Sequence, residues 1–443
     1  MANENESIRS AFERDYDRVI FSSAFRRLQN KTQVFPLPEG IFVHNRLTHS
    51  LEVVSVGRSL GKMVGNFVAE LPDLKGHEVA VDFYRNELKN VISAACLAHD
   101  LGNPAFGHSG EEAISKYFLD REKDADFRKR FADAEWQDLI RFEGNANAFR
   151  ILTRQFNGRL KGGYRLTYPT LAAILKYPCE SLATQKKGPK HRSKYGYFQS
   201  DQQAFLQVAE KLGLHKDQST EHAYFRHPFV YLVEAADDIC YSIIDFEDAH
   251  RLGILSYTEV KDILLSVVAF REGENMDRVR QNLKGLSEDP NEAVAYLRAK
   301  SINCLTEACF SAFKENHQQI LEGNFSGSLL KANDALKAIL SNIGSISVGR
   351  IYAYHSVLKI ELAGFKIMSG LIEDFVEAAL TASEDRQSRH KKILKLLPFQ
   401  HQVKEADTDY EKVMNVLDHI SAMTDNYALE TYRNLRGISM PAF

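Results

Sequence analysis

The sequence is short of cysteine, of long apolar runs and of net charge, and each shortage closes off a class of protein. Five cysteines in 443 residues (Cys96, Cys179, Cys240, Cys304 and Cys309) are odd in number and include no CxxC spacing. They argue against a disulfide framework or a zinc ribbon and predict reduced core thiols in a cytosolic protein. No segment is apolar for long enough to span a bilayer, and the opening MANENESIRSAFERDYDR is polar where a signal peptide needs a basic start and an apolar run. A soluble, cytoplasmic chain with no membrane partner is expected. A formal net charge of -3 leaves no global field for a polyanion, so any grip on phosphate has to come from local basic patches. Alternating strand patterns are scarce, and no low-complexity linker or internal repeat stands out.

What is present is helical periodicity. In VISAACLAHDLG and HPFVYLVEAADDICYSIIDFEDAHRLG apolar residues recur three and four apart, and glycine follows as a stop. The expected fold class is all-α, with a helical core from about Asn45 to Leu252 and further helices around it. Two regions are expected: residues 1–260 as the chemistry-bearing core with an N-terminal substrate-contacting segment, and residues 261–443 completing the pocket and the subunit contacts. The best breaks are TQKKGPKHRSKYGYFQSD, SEDPNEA and LLPFQHQ. The first crowds Lys186, Lys187, Lys190, His191, Arg192 and Lys194 among aromatics, and a solvated surface loop is one reading of it.

Four residues carry the chemistry: His49, the pair His99-Asp100, and Asp237. His99 and Asp100 end an apolar helix just before the LGNPAFGH loop, HNRLTHSLEV supplies His49 at the start of another helix, and EAADDICYSIIDFED supplies acids on a third. Two imidazoles and two carboxylates from three helices suit one divalent cation with positions left open for water and a phosphate oxygen. Asp237, Tyr241 and Asp245 are spaced i, i+4, i+8 and share a helix face, while Asp238 points about 100° away. An acid–phenol–acid stripe is costly to bury unless a ligand satisfies it. An exposed polar stripe suits Asp238, Glu247 and Asp248 better. His108 and Glu111 follow the pair and suit water activation, the carboxylate setting the imidazole's tautomer. A local alternative is that Ser109 and Glu112 form a capping box, which accounts for Glu112 alone.

These four residues have the order and types of the HD-type metal site. The stretches FSSAFRRLQNKTQVF, HNRLTHSLEV, AHDLGNPAFGHSGEEAI, FEGNANAFRIL, LTYPTLAAILKYP, KYGYFQSD and EAADDICYSIIDFEDA together resemble the bacterial deoxyguanosine triphosphate triphosphohydrolases of the HD superfamily. The resemblance implies hydrolysis of dGTP at the α-phosphorus to deoxyguanosine and tripolyphosphate, in control of dNTP pools. It makes His49, His99, Asp100 and Asp237 the metal ligands, and His108 and Glu111 the catalytic pair. It assigns Arg46, Lys176, Tyr177 and Lys194 to the triphosphate, Tyr241 to the deoxyribose, and Asp245 and Gln33 to the 3′-hydroxyl side. It also implies a homo-oligomer, commonly a hexamer or tetramer, and leaves room for a nucleotide effector or single-stranded DNA. Mg²⁺ or Mn²⁺ is the expected ion, although N/O ligands also accept Fe, Co or Zn.

Past about residue 260 the likeness thins. Glu361, in VGRIYAYHSVLKIELAGFKIM, has two readings: a carboxylate for the N–H edges of guanine, as the resemblance suggests, or an outward acid paired with Lys359 or Lys366. Arg350 and Tyr352 belong either to that pocket or to a helix start. The RQSRHKK cluster (Arg386, Arg389, His390, Lys391, Lys392) reads as further phosphate or single-stranded DNA contacts, or as a solvated helix face. Two other functions remain open at this point: an HD-type hydrolase of a cyclic nucleotide, alarmone or nucleoside monophosphate, and a nucleotide sensor or DNA-binding protein with vestigial catalysis.

Overall fold

The computed structural model describes residues 8–35, 43–159 and 162–440. Among them the fold is all-α, and the only β pairings are isolated bridges such as Thr32 with Asn45. The helices that matter here are α1 (Ser23–Arg27), α2 (Arg46–Ala69), α3 (Leu88–Ala98), α4 (His108–Leu119), α5 (Gly144–Thr153), α6 (Val230–Arg251), α7 (Pro290–Leu321), α8 (His355–Leu380), α9 (Asp409–Ser421) and α10 (Asp425–Leu435).

α2 starts where Asn45 and Thr48 cap each other: the Asn45 side chain accepts from the Thr48 N–H and the Thr48 hydroxyl from the Asn45 N–H. The cap sets His49 in the first turn. Glycines then let α2 lie close to its neighbours. A Cβ on Gly57 would stand 2.4 Å from Cys96 Sγ on α3, and one on Gly65 2.1 Å from the Tyr84 carbonyl. α3 is buried from Val91 to Ala98 and gives way at His99 to a loop. Close packing of α2 on α3 thus brings His49 to His99, with ring centroids 5.4 Å apart.

The loop from Asp100 to Gly107 is backed by α5. A Cβ on Gly102 would meet the Gly144 carbonyl at 2.0 Å and the Ala148 nitrogen at 2.2 Å, both backbone atoms that cannot rotate away. Gly102→Ala is therefore expected to destabilise the chain by about 1–3 kcal/mol or more. Gly344→Ala, whose methyl meets nothing within 4 Å, should not destabilise it. Paired thermal melts check this; equal melting temperatures would remove the close approach.

Two buried apolar clusters hold the molecule together, and both draw on residues either side of 260. One gathers α2, α3, α6 and α7; the other packs α8 against α4 and α9. Several local expectations are corrected. Glu247 and Asp248 are 1% and 3% exposed rather than an exposed stripe. α6 is covered on that side too, and partners accompany the buried charge: Arg251 and Arg298 pair with Glu247, and His44 with Asp248. The Ser109–Glu112 capping box does not form, because α4 already begins at His108 with Gly107 at its cap. The segment 184–201 is not simply a solvated loop: Tyr195, Tyr197 and Phe198 are buried, and Arg192 pairs with Asp217. RQSRHKK contributes an exposed helix face at Lys391 and Lys392, with Arg389 paired to Asp374. Among the described residues no helix is long and apolar enough to cross a membrane.

Candidate active site

The C-terminal end of α3, the start of α2 and the middle of α6 converge on one point. Asp237 Oδ1 lies 3.2 Å from His49 Nε2 and 3.5 Å from His99 Nε2, and Asp100 Oδ1 lies 3.7 Å from His99 Nε2. One ligand atom each from His49, His99 and Asp100 falls within 4.8 Å of the others, the spread a single ion requires. The carboxylates are held from behind. Arg46 and Asn103 donate to Asp100 at 2.9 and 2.5 Å, and Lys176 donates to Asp237 Oδ2 at 2.7 Å.

The donor set fits a cation. His99 Nδ1 is 2.7 Å from the Cys96 carbonyl and carries the proton there, leaving Nε2 buried with no hydrogen-bond partner. A lone pair facing two carboxylate oxygens is repulsive unless a positive charge lies between them. The electrostatics carry the same strain. Burial disfavours charge on His99, yet Asp100 and Asp237 outweigh it and raise its pKa. Burial also works against ionised Asp100, but Arg46, His99 and His49 pull its pKa down to about 2. Lys176 and His99 likewise overcome burial to hold Asp237 well below the usual carboxylate range.

His99, Asp100 and Asp237 of this cluster line a cavity of about 510 Å³. His108 lies at its mouth, 89% exposed in its side chain, with Nδ1 3.1 Å from Glu111 Oε2. The other Glu111 oxygen accepts from the Gly144 N–H at 2.8 Å. Glu111 is thus fixed by α5, and the His108 Nε2 faces open space. Arg46, Lys176, Tyr177 and Lys194 line the cavity, Lys194 paired to Glu143 at 2.9 Å. Gln33 lines it too, with a buried Oε1 that has no hydrogen-bond partner.

On the far wall Tyr241 and Tyr352 approach with ring centroids 5.8 Å apart, and the Tyr352 hydroxyl donates to buried Asp245 at 2.7 Å. Burial pushes the Asp245 carboxyl up to about 7, against the opposing Tyr352 hydrogen bond. Glu361 lines the cavity with no ion pair among the described residues, so the Lys359 or Lys366 pairing is not formed. Tyr352 joins the pocket, while Arg350 pairs with Glu259 away from it.

Some cavity residues carried no individual signal in the sequence. Glu143 and Asn145 sat unremarked in FEGNANAFRIL, and Val357 and Ile360 read as ordinary apolar helix positions. More remote is a strut behind the loop. Asp425, at the start of α10, accepts from the Thr32 N–H at 2.8 Å and the Phe106 N–H at 3.0 Å. Buried Lys31 donates to the carbonyls of Asn103 at 2.6 Å and Ser421 at 2.8 Å. These contacts pin Phe106, held at φ 60°, and with it the entry to His108.

An all-α frame with a His–Asp cation cluster at a helix end defines the class of HD-domain phosphohydrolases. Residues 46–160 match the HD domain, and residues 323–434 match a phosphohydrolase-associated domain. A deoxyguanosinetriphosphate triphosphohydrolase-like protein of Synechocystis is 39% identical, covering 99% of this chain and 96% of the relative. Its Pseudomonas aeruginosa counterpart is 38% identical over 98% and 95%. A protein of Salmonella typhimurium named deoxyguanosinetriphosphate triphosphohydrolase is 30% identical over 98% and 95%. The chain belongs to this deoxyguanosinetriphosphate triphosphohydrolase-like family of hydrolases.

Proposed function

We propose that the chain is a metal-dependent dNTP triphosphohydrolase that prefers dGTP and cuts at the α-phosphorus, releasing deoxynucleoside and tripolyphosphate. The observation that carries this reading is the content of a single cavity: His and Asp residues grouped for a cation, a His–Glu dyad, converging basic side chains and a phenol wall. The name of the Salmonella relative supports the substrate.

His49, His99, Asp100 and Asp237 would hold the ion. When bound, a divalent cation supplies Lewis-acid polarisation of a phosphoryl oxygen. His108 Nε2 takes the proton of the attacking water as its oxygen bonds to the α-phosphorus and the bond to O5′ breaks, and solvent gives a proton to the departing O5′. Glu111 keeps His108 in the tautomer with Nδ1 protonated and steadies the imidazolium that forms. Arg46, Lys176, Tyr177 and Lys194 face the triphosphate, a fork-shaped guanidinium and point-charge ammoniums meeting a dense anion. Gln33 and Asp245 take the 3′-hydroxyl side, and Glu361 the guanine edge. Mg²⁺ or Mn²⁺ is proposed as the ion, a homo-oligomer as the working form and the cytoplasm as its location.

Tyr241, whose ring centroid lies 5.8 Å from that of Tyr352, is assigned in this reading to pack on the deoxyribose and exclude a 2′-hydroxyl. Tyr241→Ala is expected to raise kcat/KM for GTP relative to dGTP by roughly 10-fold or more. Competition assays with both nucleotides measure it; unchanged rejection of GTP removes Tyr241 from this role.

A further inference from the structure

A second hollow, of about 220 Å³, lies beside the turn between α9 and α10 and is lined by Arg27, Gln400, His401, His419, Thr424 and Tyr427, with other residues of the turn. It shares no lining residue with the cavity above. The Arg27 side chain, in the last turn of α1, makes no hydrogen bond and no ion pair among the described residues. Burial lowers its pKa, Tyr164 opposes this and nearby Arg159 adds to it. A partly desolvated guanidinium without a counter-ion among the described residues is costly, and its donors have no protein acceptor there.

The histidines repeat the pattern. His401 is 4% exposed, and its Nε2 accepts from the Gln400 amide at 2.9 Å. The ring proton therefore sits on Nδ1, which is buried and has no partner. His419 is 5% exposed, its ring centroid 5.6 Å from that of Phe375 and 5.9 Å from that of His401, with no hydrogen bond to either nitrogen among the described residues. Asp418, the acid that acts on His401, is already taken by Arg150 and Arg154. Among the described residues the hollow therefore offers a cation without an ion pair and the buried His401 Nδ1–H, and no acid is among its lining residues.

We propose that this hollow binds a phosphoryl-sized oxyanion, with Arg27 supplying the charge and the two imidazoles supplying N–H donors. Its volume suits one or two phosphoryl groups rather than a whole nucleotide, for which the larger cavity has room. The site adjoins the strut behind the catalytic loop. Thr424 lines it, the next residue is Asp425, and Lys31 lies close enough to feel Arg27 on one side and Arg46 and Asp100 on the other. An anion there steadies the turn from which Ser421 and Asp425 hold Lys31, Thr32 and Phe106.

The test titrates the full chain in phosphate- and sulfate-free buffer with inorganic phosphate, tripolyphosphate and dGTP, following melting temperature and calorimetric stoichiometry. Crystals soaked in tungstate, a phosphate mimic, are examined by anomalous scattering. Wild type is expected to bind one more phosphate per chain than Arg27→Gln, and to gain more melting temperature on phosphate addition. In buffer alone Arg27→Gln should melt no lower than wild type, because an unpaired cation has gone. A tungstate peak is expected against Arg27 and the two rings. If Arg27→Gln folds poorly, His419→Asn serves, with reduced tungstate occupancy as the readout. Extra sites filled by phosphate and tripolyphosphate alike indicate a free oxyanion; extra sites filled by dGTP alone indicate a nucleotide's phosphates. Equal stoichiometry and equal melting shifts in wild type and variants, with tungstate confined to the larger cavity, would overturn the proposal.

Discussion

Asp100→Ala is expected to yield a chain that retains no divalent ion at the His–Asp cluster and turns over no nucleotide. Asp100 faces the cluster with Oδ1 and anchors Arg46 with Oδ2. Removing it deletes a ligand and leaves Arg46, 8% exposed, as a buried cation without its partner. Breaking a buried pair by removing one member costs about 3–5 kcal/mol, so the alanine variant will also be less stable. Asp100→Asn separates the two effects. Its amide oxygen still accepts from Arg46, so stability falls less, but the neutral side chain should bind the ion poorly and activity should still be lost. Metal content of the folded variants, measured by mass spectrometry beside their circular dichroism, checks the prediction. A full complement of ion in both variants would remove Asp100 from the ligand set.

His108→Ala is the counterpart: bound metal stays, and kcat falls roughly 10²-fold or more. The side chain is open to the cavity and supports no packing, so a structural loss is not expected. Its pKa adds a pH signature. The hydrogen bond that His108 donates to Glu111 raises the His108 pKa above 6.5, outweighing the opposing effect of desolvation. A base must be unprotonated, so kcat should fall as pH drops through that raised value. Glu111→Gln removes the cause, and the acid limb should move to lower pH even as the plateau falls. An acid limb that stays in place in Glu111→Gln would show that another group sets it, and full activity in His108→Ala would end its role.

How much of this was legible in the sequence depends on chain separation. His49, His99 and Asp100 announced themselves because each sits at a helix boundary that caps, glycines and apolar runs mark locally. Asp237, Tyr241 and Asp245 followed from a single helix period. The Tyr352–Asp245 hydrogen bond joins residues 107 positions apart and had no local mark, so Tyr352 read equally well as a helix start. The Asp425 strut was invisible for a like reason: an acid after Thr424 looks like any first-turn helix residue, and only the tertiary fold places it on Thr32 and Phe106. Glu247 and Asp248 misled in the opposite direction. Charges on a helix read as solvent-facing until the arginines and histidine that bury with them are known. Ser109 and Glu112 fit a capping pattern that a glycine cap two residues earlier pre-empts.

The reaction itself is the most direct measurement. Purified chain is incubated with dGTP, each other dNTP and GTP in Mg²⁺ or Mn²⁺, and the phosphate products are resolved by ³¹P NMR. The account predicts deoxyguanosine and tripolyphosphate from dGTP, slower turnover of the other dNTPs and little from GTP. Pyrophosphate with dGMP, or no turnover of any dNTP with either ion, would contradict it.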